Sequence, residues 1–525
     1  MIASLFLLGS QGSANALPVD ARLDRPLAIE ARIEPLPDLL ARLGKEIGVR
    51  LTVGREMAGL KTTVLTDARP TRRTLAALAS VFDAEWTRTR GDGYRLTETS
   101  PARMRRLTYL RLNDQERRRR VESFLDPNAS PSVDRTGGLR PKIVRLYRES
   151  TKNDQRRFWR GETLCRIDVT PAQEDQGLDA VSVGRSLLLV RSHPVGAGIQ
   201  LRWISPTLGG SYHDTFSDVT EPESVKTSAF RLAQTAWATD PRSSAVPELD
   251  RPLVAFAPVH PVWSDERWTD SDELEMLHRA TGLSIVAEAF RRMRECPSFP
   301  TGVPLRRAWR ELRMGGLRLE DGTLLLRPYD FLDQREIEPD ESALRAFETS
   351  PREDAAATID AAANLYASVP VTVVPFVPDA AARRTLRFLW SGNWALRIWG
   401  GLSRSERETA LTPGGLSLDR VRTKARATVK DALVGAILGG ENDFVEGADR
   451  TLPVPPERSA DVAATLLGLR DPVPLVLHAW QSHASPLPSR AKMLMTNIND
   501  YGLVLRIQDS AGDGLRLIVP QPDAD

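Results

Sequence analysis

Residues 39–53 read LLARLGKEIGVRLTV and carry the clearest structural signal in the chain. Four of the first nine side chains in this stretch, ending with Ile47, are large and aliphatic and recur at helical spacing, which predicts one apolar stripe on an amphipathic helix. Gly48 follows the stripe, where glycine commonly ends a helix. The aliphatic residues after it predict a strand over residues 50–53. The stretch therefore predicts a helix that leads directly into a strand.

The flanking residues extend this helix and strand to a β-α-β-β-α-β order. Residues 27–33 alternate apolar and polar side chains, the period of a half-buried strand. Residues 62–66 predict another strand, and Thr71 is placed to cap a second helix. Residues 86–97 then fold back on themselves at the turn Gly91-Asp92-Gly93, which has the residues that a hairpin needs.

A second segment has a similar order of signals. Residues 274–286 read LEMLHRATGLSIV, which predicts a helix that ends at Gly282 and leads into a strand. Residues 305–312 predict a further helix, and Asp321-Gly322 supplies a hairpin turn. A proline-flanked insert, residues 296–304, stands where the first segment has a strand. The sequence therefore predicts an internal repeat.

Residues 24–98, and in less regular form residues 253–330, resemble the short N-terminal domain of secretins and TonB-dependent transducers. The resemblance implies a βαββαβ fold for each segment, a position in the periplasm, and contacts with other proteins. The resemblance implies a docking module in this chain, and it does not imply a secretin pore.

A chain of 525 residues is too long for a single core. We expect the α+β class, with two small βαββαβ-like modules and additional mixed α/β regions. The predicted domains are a signal peptide (1–16), a first module (17–99), a basic helical segment followed by a β-rich region (100–250), a second module (251–335), and a mixed α/β region that ends in a hairpin (336–525). An acidic spacer over residues 330–341 follows the second module.

The N-terminus predicts export. A short apolar run over residues 2–8 precedes the small residues Ala14-Asn15-Ala16, a combination typical of a secretory signal peptide. We therefore expect an exported protein in the periplasm or associated with the outer membrane. The apolar run is too short to span a bilayer, so no stable membrane insertion is expected. The sequence leaves open whether Cys165 and Cys296 form a disulfide.

The charges are unevenly distributed along the chain. The net charge of +2 argues against a dedicated nucleic-acid binder. Residues 1–150 hold 27 basic and 18 acidic side chains, a net charge of +9, and the remaining residues hold 44 and 51, a net charge of −7. The run Arg117–Arg120 points in all directions around a helix, which predicts a solvated helix surface.

No motif predicts a catalytic, cofactor or metal site. The six histidines form neither an HxH nor an HExxH pair, and the phosphate and dinucleotide loops are absent from the sequence. Ser489 and Lys492 match S-x-x-K without the partner motifs of that enzyme class. His213 lies near Ser211 in the sequence, and Cys165 is a second candidate nucleophile, but catalytic triads are set by space rather than by sequence.

Two segments carry the same helix-start pattern. Asn113 with Glu116, and Ser403 with Glu406, each place an acid three residues after a capping side chain. The sequence favours the same cap used twice over a larger duplication.

We expect a non-enzymatic, exported cell-envelope protein that docks other proteins through its modules. The expected partners are envelope proteins, such as a secretin-like or TonB-linked assembly, or a second copy of the chain. Two alternatives stay open. One is an envelope hydrolase with its site outside the repeats, in residues 140–250 or 355–525. The other is a protein that binds peptidoglycan or lipid through the basic N-terminal part.

Overall fold

The computed structural model is an α+β protein, as the sequence predicts. It describes residues 17, 19–128, 140–159, 164–167, 187–192, 199–205, 210–216, 250, 267–290, 293–295, 304, 314–328, 331–338, 340–350, 354–368, 393–439, 443–445, 454, 456–469, 473–481 and 501–520.

The elements are numbered here in chain order. The α-helices are α1 (Leu36–Ile47), α2 (Thr71–Val81), α3 (Ser100–Leu125), α4 (Arg140–Glu149), α5 (Lys152–Trp159), α6 (Asp270–Thr281), α7 (Phe331–Ile337), α8 (Glu341–Glu348), α9 (Ala355–Ser368), α10 (Asn393–Gly401), α11 (Arg404–Ala410), α12 (Thr423–Gly439) and α13 (Pro456–Leu466). The strands are β1 (Pro26–Pro35), β2 (Arg50–Val53), β3 (Lys61–Pro70), β4 (Ala84–Arg88), β5 (Gly93–Glu98), β6 (Leu164–Ile167), β7 (Leu187–Ser192), β8 (Ile199–Ser205), β9 (Gly210–Phe216), β10 (Arg267–Thr269), β11 (Ser284–Glu288), β12 (Met293–Glu295), β13 (Met314–Glu320), β14 (Thr323–Pro328), β15 (Leu416–Ser417), β16 (Asp443–Val445), β17 (Val476–Gln481), β18 (Tyr501–Gln508) and β19 (Gly514–Pro520).

The chain divides into two compact units, and each is discontinuous in sequence. Unit 1 comprises residues 1–113 and 223–341, and unit 2 comprises residues 114–222 and 342–525.

Helix α1 in unit 1 matches its sequence signals closely. It begins after Pro35 and has a proline in its first turn, where a missing N–H group costs nothing. It ends at Gly48, whose φ of 70° is left-handed and whose N–H donates to the carbonyl of Gly44. Helix α2 differs from the prediction, because Thr71 is its first residue rather than its cap. The Thr71 hydroxyl instead donates to the Arg25 carbonyl at 2.8 Å and ties α2 to the start of β1.

The two module segments meet in one mixed sheet of unit 1. Its strand order is β1-β3-β11-β14-β13, so strands from both segments lie side by side. β3 and β11 pair antiparallel, with Leu65 opposite Ile285. A separate three-stranded sheet has the order β2-β5-β4. The buried faces of α1 and α2 share one apolar core with both sheets, and this core includes Val286 and Leu325 from the second segment.

The sheet β2-β5-β4 and the strands β11-β14-β13 share one arrangement. In each, the strand that follows a helix (β2 or β11) runs parallel to the strand that comes last in the chain (β5 or β14). Leu51 lies opposite Tyr94, and Ile285 lies opposite Leu324. In each, the two strands that come last in the chain form an antiparallel hairpin, β4 with β5 and β13 with β14. The preceding helices also end alike, since Gly282 has a left-handed φ of 66°.

Two other sequence expectations for helices had different outcomes. Ser403 caps α11 in a full capping box with Glu406, as predicted. Asn113 lies inside α3, so no helix begins there and that prediction was wrong. Residues 331–337, within the predicted acidic spacer, form helix α7 instead.

Unit 2 contains a four-stranded sheet of order β6-β7-β8-β9 and a five-stranded sheet of order β15-β17-β18-β19-β16. The predicted C-terminal hairpin is present as β18 and β19. Helices α9, α10 and α12 pack together, and Trp399 of α10 is fully buried among them.

Several sequence predictions fall on residues outside the described ranges. They are the signal peptide (1–16), the insert 296–304 with Cys296 (apart from residue 304), the helix predicted over 305–312, the S-x-x-K match at 489–492, and the histidines at 193, 260 and 483. In the described part of the chain, no helix is both long enough and apolar enough to cross a membrane.

Candidate functional site

Charged side chains gather in one cleft of unit 1, which we call the arginine cleft. It is a small cleft that opens to solvent. Its charged lining residues are Asp83, Glu98, Arg105, Arg106, Arg327 and Arg335, and Phe82, Ala102, Phe331 and Leu332 complete the wall.

The first module supplies one side of the arginine cleft. Asp83 lies in the turn between α2 and β4 with a φ of 51°, a left-handed conformation that aspartate tolerates better than most residues. Its carbonyl accepts a hydrogen bond of 3.1 Å from the N–H of Thr99, just before α3. That bond holds the turn against the start of α3, which carries Arg105 and Arg106.

The second segment supplies the floor of the cleft through Arg327. This residue lies on β14, an inner strand of the five-stranded sheet, and its side chain is only 3% exposed. Its Nε donates to Oε2 of Glu288 on β11 at 2.7 Å, and its Nη1 donates to Oδ2 of Asp83 at 2.7 Å. Burial lowers the pKa of Arg327, but the two carboxylates outweigh burial and hold the pKa above its usual value.

Arg335 on α7 is less completely neutralised than Arg327. Its Nε donates to Oε1 of Glu288 at 2.6 Å, and its side chain is 11% exposed. Its Nη2 is buried and has no hydrogen-bond partner. Burial lowers the pKa of Arg335, and the nearby charge of Arg327 lowers it further, so that Glu288 does not restore the usual value. Arg335 therefore retains both a hydrogen-bond donor and positive charge at the cleft.

Phe331 positions both inner arginines. The guanidinium carbon of Arg327 lies 3.9 Å from the centre of the Phe331 ring, and that of Arg335 lies 5.1 Å from it. A guanidinium over an aromatic face gains cation–π attraction, which is larger at a desolvated site. The ring therefore packs against both guanidinium groups.

The outer arginines differ from each other in their pairing. Arg106 forms a two-pronged pair with Glu98, with Nε and Nη2 each 3.1 Å from a carboxylate oxygen. Arg105 makes a looser contact, in which its Nη2 lies 3.4 Å from Oδ2 of Asp83, and its side chain is 36% exposed. Arg105 is thus placed at the solvent side of the cleft and Arg335 at its inner side.

These groups define what the arginine cleft offers chemically. A guanidinium stays protonated at all physiological pH values and presents its N–H groups in a planar fork that matches a carboxylate or phosphate. The cleft therefore offers positive charge and hydrogen-bond donors to an anionic group.

His278 and His478 make contacts with residues near them in the structure. Nδ1 of His278 lies 2.7 Å from the carbonyl of Leu283, just after its own helix α6. His478 lies on β17, with Nε2 at 3.2 Å from Nε2 of Gln508. Burial and the charge of Arg506 lower the pKa of His478. Within the described ranges, no group of three or more metal-ligating side chains could hold a metal ion.

The structure separates Cys165 from His213, whereas Ser211 lies on the same strand as His213. Cys165 lies on β6, whereas Ser211 and His213 lie on β9, and these strands form opposite edges of one sheet with two strands between them. The arginine run also matches its expectation where its side chains are described, because Arg118 is 52% exposed and pairs with Asp114 at 3.0 Å.

The inner residues of the arginine cleft were not predicted from the sequence. Arg335 and Phe331 fall in the segment 330–341, whose acidic side chains predict a spacer. The spacing of Phe331 and Arg335, at i and i+4, was a signal for one helix face. Arg327 gave no signal, because an arginine in a strand is usually assigned to the exposed face.

Comparisons with known proteins found no match, so a functional inference for this chain starts from its own structure. No protein-family model, no curated protein and no solved structure matches the chain. The chain is an α+β protein, and unit 1 has a cleft lined by four arginines and two acidic residues.

Proposed function

We propose that this chain is a non-enzymatic, exported cell-envelope protein that docks a partner protein through unit 1. The observation that carries the proposal is the shared arrangement of β2-β5-β4 and β11-β14-β13. It supports the interpretation of both segments as docking modules. That interpretation rests on their resemblance to the short N-terminal domain of secretins and TonB-dependent transducers.

The edge strand β4 is the surface that we assign to docking. It is the last strand in the order β2-β5-β4, and within the described ranges no further strand pairs with it. An exposed edge offers unpaired N–H and C=O groups to an added strand of a partner. Glu85, Thr87 and Arg88 of this strand are exposed.

The hydrogen-bond pattern identifies the open backbone groups of β4. The N–H of Thr89 donates to the Gly93 carbonyl at 2.8 Å, so Thr89 faces β5. Along an antiparallel strand, the backbone N–H and C=O groups of successive residues point alternately toward and away from the neighbouring strand. The backbone groups of Trp86 and Arg88 therefore point away from β5, toward the open edge. The opposite strand agrees, because the Leu96 carbonyl, across from Trp86, accepts from Gly54 on the far side.

The test compares two variants at Arg88 in the exported full chain. Arg88→Pro removes the N–H group that an added strand would need, and edge positions tolerate proline. Arg88→Ala removes the same side chain and keeps the N–H group. Both proteins, and the unaltered chain, are cross-linked in the native cell envelope and recovered.

A secretin, TonB-dependent transducer or similar assembly recovered with the unaltered chain and Arg88→Ala, and lost with Arg88→Pro, would support the proposal. Equal recovery of that partner with both variants would overturn docking at β4. Retention of the mature protein in the cytoplasm on fractionation would overturn the exported role.

A further inference from the structure

We infer that the arginine cleft binds an acidic side chain of the docked partner, with Arg335 and Arg105 as the donors. This inference rests on the proposed docking function and names the chemistry of the partner. The partner class is a protein with an aspartate or glutamate at one end of the strand that joins β4.

The position of the arginine cleft relative to β4 connects the two surfaces. Asp83 immediately precedes β4, and Glu98 is paired with Ala84, the first residue of that strand. Both carboxylates line the cleft. Since β4 has five residues, it extends about 17 Å. A partner strand along β4 therefore ends beside the cleft.

The binding role of Arg335 follows from its partners. Its Nε is occupied by Glu288 at 2.6 Å, while its buried Nη2 has no hydrogen-bond partner. A buried donor without an acceptor is costly, and an acceptor that is supplied by a ligand removes that cost. An ionised carboxylate oxygen is among the acceptors that a guanidinium binds most strongly.

Arg105 is suited to hold the second oxygen of the ligand carboxylate. It is partly exposed, and its contact with Asp83, at 3.4 Å, is longer than the contact of Arg327 with the same oxygen at 2.7 Å. The long flexible side chain can turn toward an incoming acid with little loss, because Arg327 continues to neutralise Asp83. Arg106 is held by Glu98 and lines the wall.

The probe is a fluorescent hexaglutamate peptide, and the measurement is its anisotropy with the purified full-length mature chain. Hexaglutamine is the uncharged control. Arg335→Lys keeps the charge but removes Nη2, and Arg105→Gln removes the outer guanidinium. Arg103→Gln is the matched control, because Arg103 is exposed on the same helix and outside the cleft. Thermal unfolding checks that each variant remains folded.

We expect Arg335→Lys and Arg105→Gln each to weaken hexaglutamate binding about tenfold, the change that corresponds to about 1.4 kcal/mol. Arg103→Gln should leave the affinity within about twofold of the unaltered chain, as expected for an exposed charge. Hexaglutamine should not bind.

Three outcomes would overturn the inference. Equal weakening by all three variants would indicate general attraction to a basic surface. Displacement of hexaglutamate by acetate, at acetate concentrations that match the peptide's own carboxylates, would indicate a small-anion site. Absence of hexaglutamate binding would remove the acidic-partner chemistry, while the Arg88→Pro comparison would still decide docking at β4 by itself.

Discussion

The residue at which α1 ends is a glycine for a conformational reason. Gly48 has a φ of 70°, and a Cβ built on it would meet no atom within 4 Å. Any penalty for a side chain there comes from the backbone conformation and not from crowding. A left-handed conformation costs an alanine about 1 kcal/mol.

We therefore predict that Gly48→Ala destabilises unit 1 by about 1 kcal/mol. Gly59→Ala is the control, because a Cβ on Gly59 would also meet no atom within 4 Å, whereas its φ is not left-handed. Native-state hydrogen exchange of the α1 amides measures both changes. A loss of the same size at Gly59 would contradict the conformational explanation.

Glu406 connects one residue to the pH dependence of unit 2. Burial alone would raise the pKa of Glu406, but hydrogen bonds from Ser403 and from the Arg422 backbone outweigh burial and lower the pKa from 4.5 to about 2. A folded-state pKa below the unfolded-state value stabilises the fold above the unfolded-state pKa. That stabilisation is lost as the pH falls through the folded-state pKa.

We predict that Glu406→Gln lowers the unfolding temperature of unit 2 at pH 7. The difference from the unaltered chain should shrink as the pH falls from 4.5 toward 2, because the unaltered side chain is then also becoming neutral. Glu408→Gln on the same helix is the control, since Glu408 is 63% exposed and should change little at any pH. A pH-independent difference for Glu406→Gln would refute the assignment.

Among the elements of unit 1, β11, β14 and α7 are joined by buried charge. Glu288 is 1% exposed and accepts from both Arg327 and Arg335. A buried ion pair contributes little net stability when complete, but the loss of one partner leaves an uncompensated charge, at a cost of about 3–5 kcal/mol. An exposed pair of the same type is worth less than about 1 kcal/mol.

We predict that Glu288→Gln destabilises unit 1 by about 3–5 kcal/mol. Arg88→Ala, which removes the exposed pair with Asp92, should cost less than about 1 kcal/mol. Urea unfolding of the two variants gives the comparison. Similar small losses in both would mean that solvent screens the Glu288 network.

The elements that the sequence analysis predicted are those set by local spacing. The apolar stripe of α1 and its glycine, the hairpin after α2, and the C-terminal hairpin each need only a few neighbouring residues, and all are present. The pairing of β3 with β11 joins residues more than 200 positions apart, so no local pattern indicates it. The arginine cleft could not be predicted from the sequence for the same reason. The acids that make a buried Arg327 tolerable lie far from it in sequence, on β11 and after α2.

At the scale of the whole molecule, unit 1 depends on both of its segments. β3 pairs with β1 on one side and with β11 on the other, and Val286 and Leu325 complete the core around α1 and α2. The first segment alone would expose the long edge of β3 and lose two fully buried side chains. An uncovered edge next to apolar surface promotes aggregation.

We predict that residues 17–113 expressed alone aggregate or show no cooperative unfolding, and that co-expression with residues 267–341 restores a soluble complex. Antiparallel pairing of Val64 with Val286 supplies the missing edge contact, and Arg327 supplies the partner of Asp83. The control is the same second fragment with Val286→Asp, which places a charge in the shared core and should not restore the complex. The measurements are recovery of the two fragments together and their unfolding by circular dichroism. If residues 17–113 alone unfolded cooperatively at the same temperature as in the full chain, the first module would be an independent domain and the shared sheet a secondary contact. If only the complex does so, unit 1 is one folding unit assembled from two distant parts of the chain.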